Sequence, residues 1–287
     1  MPAIEVFAPA KVNLALHVTG RRADGYHLLD SLVAFAPVGD RLRLDPAPAM
    51  ALRVTGPEGA GVPEGPENLV LRAAALLPAG QGAAITLEKH LPPASGIGGG
   101  SSDAAAALRG LALLRGSAVP GAGLERLGAD VPMCLVPAPA RTQGIGEELS
   151  PVSLPPLPAL LVNPRVEVPT PAVFRALACR ENPPLPDLPA FADAPACIDW
   201  LAQLRNDLQA PAIATAPVIA EVLDLLAALP GCRLARMSGS GATCFALFAT
   251  HAEAEVAQAQ LRARRPDWWS ACGPLGDQTA AAAPRRL

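Results

Sequence analysis

Apolar residues alternate with polar ones through most of the first third of the chain. Runs near residues 4–8, 12–18, 29–36, 41–45 and 51–55 predict strands, because successive side chains of an extended backbone point to opposite faces. The turn-forming stretch Asp24-Gly25-Tyr26-His27-Leu28 interrupts them. The period then changes. Asn68 to Leu77 predicts a helix, Ala84 to Lys89 a strand, and Asp103 to Leu114 a helix that directly follows a glycine cluster. PVSLPPLP at 151–158 excludes a regular helix or central strand, since each proline fixes φ and removes an N–H. Beyond it the pattern predicts a strand at 159–163, a helix from about Pro171, a Pro-rich loop at 183–195 and helices near 196–204 and 217–228. Strands near 232–236 and 243–249 and a helix at 251–263 follow. The last residues, QTAAAAPRRL, offer little to bury and are expected to be a flexible tail. The organisation read from this pattern is α+β: residues 1–150, a linker at 151–158, a second part at 159–275 and a tail at 276–287.

Length and composition narrow the function classes. A chain of 287 residues, 51% hydrophobic but only 3% aromatic, builds aliphatic cores and is long enough for two domains with a cleft between them. The net charge of −3 has no basic stripe for nucleic acid, so an anionic ligand must be met locally. The N-terminal residues lack the charged start and apolar stretch of a secretion signal, and no run is long enough to span a bilayer. A cytoplasmic protein without membrane or nucleic-acid partners is expected. Six scattered cysteines and four histidines show neither a disulfide framework nor zinc-ligand spacing.

PPASGIGGGSSDAAAA at 92–107 carries the sharpest chemical signal. Gly96, Gly98, Gly99 and Gly100 let backbone N–H groups approach a ligand without a Cβ in the way. Ser101 or Ser102 is expected to cap the helix that follows, whose N-terminus favours phosphate. The spacing fits neither a Walker loop nor a dinucleotide fingerprint. The alternative is a simple flexible turn. On the stretch 7–18, alternation puts Lys11, Asn13 and His17 on a polar face, which by itself is ordinary for a sheet. Asp130, between Gly128 and Pro132, can either point into a cleft or serve a local cap or turn. The Gly/Ser segment at 235–248 can close over phosphates or form a plain hairpin.

Taken in order, APAKVNLALHV, RRADGYH, PPASGIGGGSSDAA, LGADVP and MSGSGATCFAL resemble the GHMP kinase superfamily from about Phe7 to Phe248. Arg22, Asp24, Gly25, Tyr26, His27 and Ser31 point within it to the branch acting on a cytidyl sugar alcohol. Pro164, Thr170 and the NDLQAPA stretch at 206–212 are also similar to that branch. The stretch 115–146 departs from the family's usual pattern.

The resemblance implies a two-domain fold, with an N-terminal part like ribosomal protein S5 domain 2, a C-terminal α+β part and the active site in the cleft between them. It implies ATP and Mg2+ as cofactors, with no side chain assigned to the metal, and a monomer or homodimer. The implied reaction is phosphorylation of the C2 hydroxyl of 4-diphosphocytidyl-2-C-methyl-D-erythritol, giving the 2-phosphate and ADP, in the non-mevalonate route to isoprenoid and terpenoid precursors. Lys11 and Asp130 become the catalytic pair, and Asn13, Tyr26, His27 and Thr170 the substrate-binding residues. The ATP site becomes the glycine-rich segment Ala94, Ser95, Gly96, Ile97, Gly98, Gly99, Gly100, Ser101, Ser102, Asp103 and Ala104.

Overall fold

The computed structural model describes residues 2–78 and 80–287. The N-terminal part contains β1 (Ile4–Arg21), β2 (His27–Ala47), β3 (Ala51–Thr55), α1 (Leu69–Ala74), β4 (Gly82–Glu88), α2 (Gly99–Arg115), α3 (Val131–Leu135), β5 (Ala140–Gly144) and β6 (Glu148–Pro151). The C-terminal part contains β7 (Leu157–Asn163), α4 (Thr170–Arg175), α5 (Ala194–Ala202), α6 (Gln209–Thr215), α7 (Val218–Ala227), β8 (Leu234–Met237), β9 (Cys244–Leu247), α8 (His251–Arg264) and β10 (Trp269–Leu275). The chain ends on α9 (Thr279–Ala282) and β11 (Arg285–Arg286). The first sheet has seven strands along the path β11-β1-β2-β4-β3, with β5 and β6 extending it from β2. The second runs β10-β7-β9-β8.

Several boundaries differ from expectation for physical reasons. The runs expected as separate strands at 4–8 and 12–18 form one strand, β1. Register shifts at Pro9/Lys11, Asn13/Ala15 and Val18/Gly20 absorb the breaks in alternation. The expected strands at 29–36 and 41–45 likewise fuse into β2, which pairs β5 with its first half and β4 with its second. Helix α2 begins at Gly99 and is capped by Gly98 in the left-handed conformation, φ 65°, so neither Ser101 nor Ser102 is the cap. The expected tail is paired and packed against the N-terminal part in this structure. Arg285 and Arg286 pair antiparallel with Glu5 and Ile4, and the Ala282 carbonyl accepts from Arg109. At the expected linker, Pro151 still belongs to β6, and Leu157 and Pro158 already pair in β7 opposite Leu275 and Pro274.

Two apolar layers and one interface hold the architecture. Helix α2 lies on the first sheet through Ala104, Ala107, Leu108 and Leu111 against Val6, Leu42, Leu44 and Ile85. Its approach is close: a Cβ at Gly110 would lie 2.9 Å from both Leu44 and Val6. Helices α7 and α8 cover the second sheet through Ile219, Val222, Leu226, Ala254 and Leu261. Between the two parts, Val12, Leu14 and Leu32 meet Leu161, Ile198, Leu201 and Phe245, so the middle of β1 is buried on both faces. Arg236 reinforces this seam by donating to the carbonyls of Leu14, Leu201 and Leu204. The buried strand delivers Lys11 and Asn13 to the cleft floor.

Candidate active site

A cleft of about 980 Å3 runs between the two parts, within the usual range for a small-molecule site. One wall is the glycine segment. Gly96 and Gly98 have φ of 77° and 65°, and a Cβ at Gly96 would lie 2.6 Å from the Gly241 carbonyl oxygen. Only glycine fits there. The first bond of α2 runs from the Ser102 N–H to the Gly98 carbonyl, 2.9 Å, so the N–H groups before it have no partner inside the helix. Such a helix start favours anions.

The two Gly/Ser segments are stapled together. Ser238 Oγ donates to the Gly96 carbonyl at 3.1 Å and accepts from the Asn13 N–H at 3.0 Å, and the Thr243 N–H donates to the Ser95 carbonyl at 3.1 Å. The 235–248 segment is therefore a β8–β9 hairpin whose tip also buttresses the glycine loop. Residues 206–209 hold that tip in turn. Asn206 Nδ2 donates to the Met237 and Gly239 carbonyls, and Gln209 Oε1 accepts from the Met237 N–H. The sequence singled this stretch out only by resemblance; its support role is a matter of tertiary contact.

Lys11 and Asp130 meet at the floor. Lys11 Nζ lies 2.9 Å from Asp130 Oδ2 and donates to Asn13 Oδ1 at 2.8 Å. Asp130 stands at the N-cap position of α3, yet its side chain makes no capping bond, which removes the local alternative for it. Its side chain is 34% exposed, whereas that of Lys11 is 6% exposed, so a ligand can reach the carboxylate. Asn13 is engaged at both ends, by Lys11 and by donation to Ser31 Oγ at 2.7 Å. It orients the lysine.

The expected ATP residues divide. Ala94, Ser95, Gly96, Gly98, Gly99, Gly100 and Ser101 line the cleft. Ile97, Ser102, Asp103 and Ala104 do not. Ile97 and Ala104 are fully buried in apolar cores, and Ser102 Oγ donates to the Pro9 carbonyl at 2.6 Å. Asp103 pairs with Lys89 at 2.7 Å.

At the other end of the cleft the β1–β2 turn presents Tyr26 and His27. Tyr26 is 62% exposed, which rules out a core-filling role. His27 stacks on Phe174 of α4, with ring centroids 4.8 Å apart and planes at 24°. One imidazole face is thus covered, and the enclosed Nε2 has no protein partner. Burial first, then the charges of Arg21 and Arg180, lower the His27 pKa from its ordinary 6.5, so the ring is neutral at pH 7. Thr170 Oγ1 lies 2.8 Å from Ser240 Oγ, bridging the two walls of the C-terminal part. Phe174, Arg175 and Arg180 also line the cleft and were missed by sequence reasoning. With Lys11 and Arg21, the lining includes four cations against one carboxylate, Asp130, in a chain whose net charge is −3. The cleft favours anions.

The sequence patterns described as GHMP kinases N terminal domain and GHMP kinases C terminal match residues 68–138 and 189–267. A 4-diphosphocytidyl-2-C-methyl-D-erythritol kinase of Dinoroseobacter shibae is 64% identical over 267 residues, covering 92% of each chain. This chain belongs to the GHMP kinases. Another relative of the same name, from Ruegeria pomeroyi, is 58% identical over 94% of this chain and 99% of its own. Among solved structures, that of a 4-(cytidine 5'-diphospho)-2C-methyl-D-erythritol kinase superposes with a TM-score of 0.80 at 40% identity, covering 95% of this GHMP kinase and 99% of that chain. A homoserine kinase from Cytophaga hutchinsonii shares the fold at 20% identity, with a TM-score of 0.66 over 100% of this chain and 98% of its own. No helix among the described residues is long and apolar enough to cross a membrane.

Proposed function

We propose that this GHMP kinase transfers the γ-phosphoryl group of ATP to the C2 hydroxyl of 4-diphosphocytidyl-2-C-methyl-D-erythritol. The observation that carries the reading is the Lys11–Asp130 pair, 2.9 Å apart, set between a glycine cradle and an aromatic, basic pocket. Backbone N–H groups at the start of α2 hold the phosphates. Asp130 orients the acceptor hydroxyl and takes its proton, and Lys11, fixed by Asn13, neutralises charge as the phosphoryl group moves. Among the described residues, Asp130 is the only carboxylate lining the cleft, and no group of three or more His, Cys, Asp or Glu could hold a metal ion. Mg2+ therefore fits here as a metal–nucleotide complex, with Asp130 the one acidic side chain within the cleft. When bound, it offsets phosphate charge.

At the far end the edge of neutral His27 reads the cytosine, Tyr26 closes over its face, and Arg21, Arg175 and Arg180 surround the diphosphate. An ADP-release assay decides the reading. Turnover is expected with the cytidyl substrate and not with mevalonate or homoserine; turnover with either of the latter alone would reject it.

A further inference from the structure

Behind the glycine loop lies a charge cluster that the proposed reaction leaves unused. Lys89, immediately after β4, is ion-paired to both Asp40 of β2 and Asp103 of α2, and all three are buried, at 3%, 0% and 3% exposure. Asp40 is well satisfied: its Oδ1 accepts from the His90 and Leu91 N–H groups at 2.6 and 2.9 Å, and its Oδ2 takes Lys89. Asp103 is not. Its Oδ2 accepts from Lys89 at 2.7 Å, but its Oδ1 is enclosed with no donor.

Two buried carboxylates thus share one ammonium, which leaves an excess negative charge if both are ionised. In a low-dielectric interior, a proton on one of them relieves that charge. Asp103, with the unfilled oxygen, is the better acceptor. Burial, opposed by Lys89 and assisted by Asp40, pushes its carboxyl up to about 8.

The cluster sits where its charge matters. A Cβ at Gly99 would lie 3.5 Å from Lys89 Nζ, so the ammonium is directly beneath the first residue of α2, and Asp103 is one turn along that helix. Other ionisable groups on the packed elements are engaged elsewhere. Lys11 of β1 pairs with Asp130 beside α3, Arg43 and Asp45 of β2 pair at the surface, and Glu88 meets His90 there. Glu5 of β1 is half-buried beside Arg285 of β11, and Arg41 of β2 is exposed. Arg72 of α1 donates to the Arg126 carbonyl, and Arg109 of α2 to those of Phe7, Cys134 and Ala282. Cys134 of α3 is held uncharged, its thiol pushed by burial to about 12. None of these makes a hydrogen bond or ion pair with Asp103.

We propose that Asp103 is a proton-linked positioning residue of the phosphate loop: ATP binding at the start of α2 draws a proton into the Lys89–Asp40–Asp103 cluster, and Asp103 holds it in the bound state. The inference rests on reading that loop as the ATP site. The sign follows from linkage. At about pH 6.5 Asp103 is protonated with or without ATP and binding moves no proton. At about pH 8.5 the free protein has largely lost the proton, and ATP, by raising the proton affinity, restores it.

The test is calorimetric titration of the whole protein with ATP and Mg2+ at both pH values, each in two buffers of different ionisation heat. Uptake of roughly half a proton or more is expected at about pH 8.5 and close to none at about pH 6.5, with affinity falling about ten-fold between pH 7 and 9. In Asp103→Asn the uptake disappears and affinity stays within about two-fold across that range. Binding without uptake in the wild type, or equal uptake in Asp103→Asn, overturns the inference while leaving the ATP site intact. Failure of ATP to bind at either pH overturns the ATP reading and the inference with it. If Asp103→Asn does not fold, infrared difference spectra of the wild type decide. The C=O band of a protonated carboxyl must appear on adding ATP at about pH 8.5, and its absence rejects the proposal.

Discussion

In the proposed reading, the two ends of the cleft recognise their ligands by different physical means. At the phosphate end the work falls to main chain: Gly96, Gly98, Gly239 and Gly241 all have positive φ, and the two loops they belong to are tied by Ser238, Thr243 and Ser95. At the base end it falls to side chains on a short turn, with Tyr26 62% exposed and His27 resting on Phe174. A backbone cradle accepts any polyphosphate and tolerates no substitution. A side-chain pocket tolerates substitution and chooses the acceptor. The Lys11–Asp130 pair stands between them, so each end is expected to govern one substrate, and only the centre to govern turnover.

The largest effect is expected at the centre. Asp130→Asn keeps the shape but removes the charge and the base, and kcat should fall by ~10²–10⁴-fold with both KM values nearly unchanged. A variant that retained turnover would show that positioning by the two ends suffices. Next comes the cradle. Gly98→Ala forces a Cβ into a left-handed residue and to 3.3 Å from Lys11, and a left-handed conformation costs ~1–2 kcal/mol. The Kd for ATP should rise about ten-fold, read by titration, with the cytidyl substrate bound as before.

How much of this was legible in advance follows the same division. The candidate phosphate loop could be read from the glycine cluster Gly96 to Gly100 and the helix after it, with a simple flexible turn as the alternative. The helix phase could not: Ser102 and Asp103 look like loop ligands, yet once α2 starts at Gly99, they turn inward to Pro9 and Lys89. The full length of β1 was hidden because the shift at Pro9/Lys11 falls between the two predicted runs and interrupts the alternation that marks a strand. The ordered chain end was hidden because Arg285 and Arg286 carry no apolar signal and are held by pairing with β1. Phe174 was missed because nothing local links it to His27. Lys11 and Asp130 were each ordinary on their own stretch, and only the five motifs in order suggested the pair that the structure brings together.

The base end should respond more gently. Tyr26→Ala is expected to raise KM for the cytidyl substrate about ten-fold, from stacking worth ~1–3 kcal/mol. Because the ring is exposed, the melting temperature should hardly move; a large drop would return Tyr26 to a structural role. The smallest effect is that of His27 protonation. The His27 pKa is lowered by burial and by Arg21 and Arg180, so the imidazole gains charge only below its ordinary 6.5. KM for the cytidyl substrate should therefore be flat from about pH 7 upward and rise only as pH falls below the ordinary imidazole range, with KM for ATP unaffected by this group. A parallel rise in both would detach His27 from base recognition.

The most direct test of the claim that the two ends act separately is a double-mutant cycle on Gly98→Ala and Tyr26→Ala, with steady-state KM measured for both substrates in each variant. Gly98→Ala should move the KM for ATP alone and Tyr26→Ala the KM for the cytidyl substrate alone. The double variant should show the sum of the two free-energy changes within ~0.5 kcal/mol. If either single variant shifted both constants equally, or if the double variant missed additivity by more than that margin, the account of two independent ends of one cleft would be contradicted.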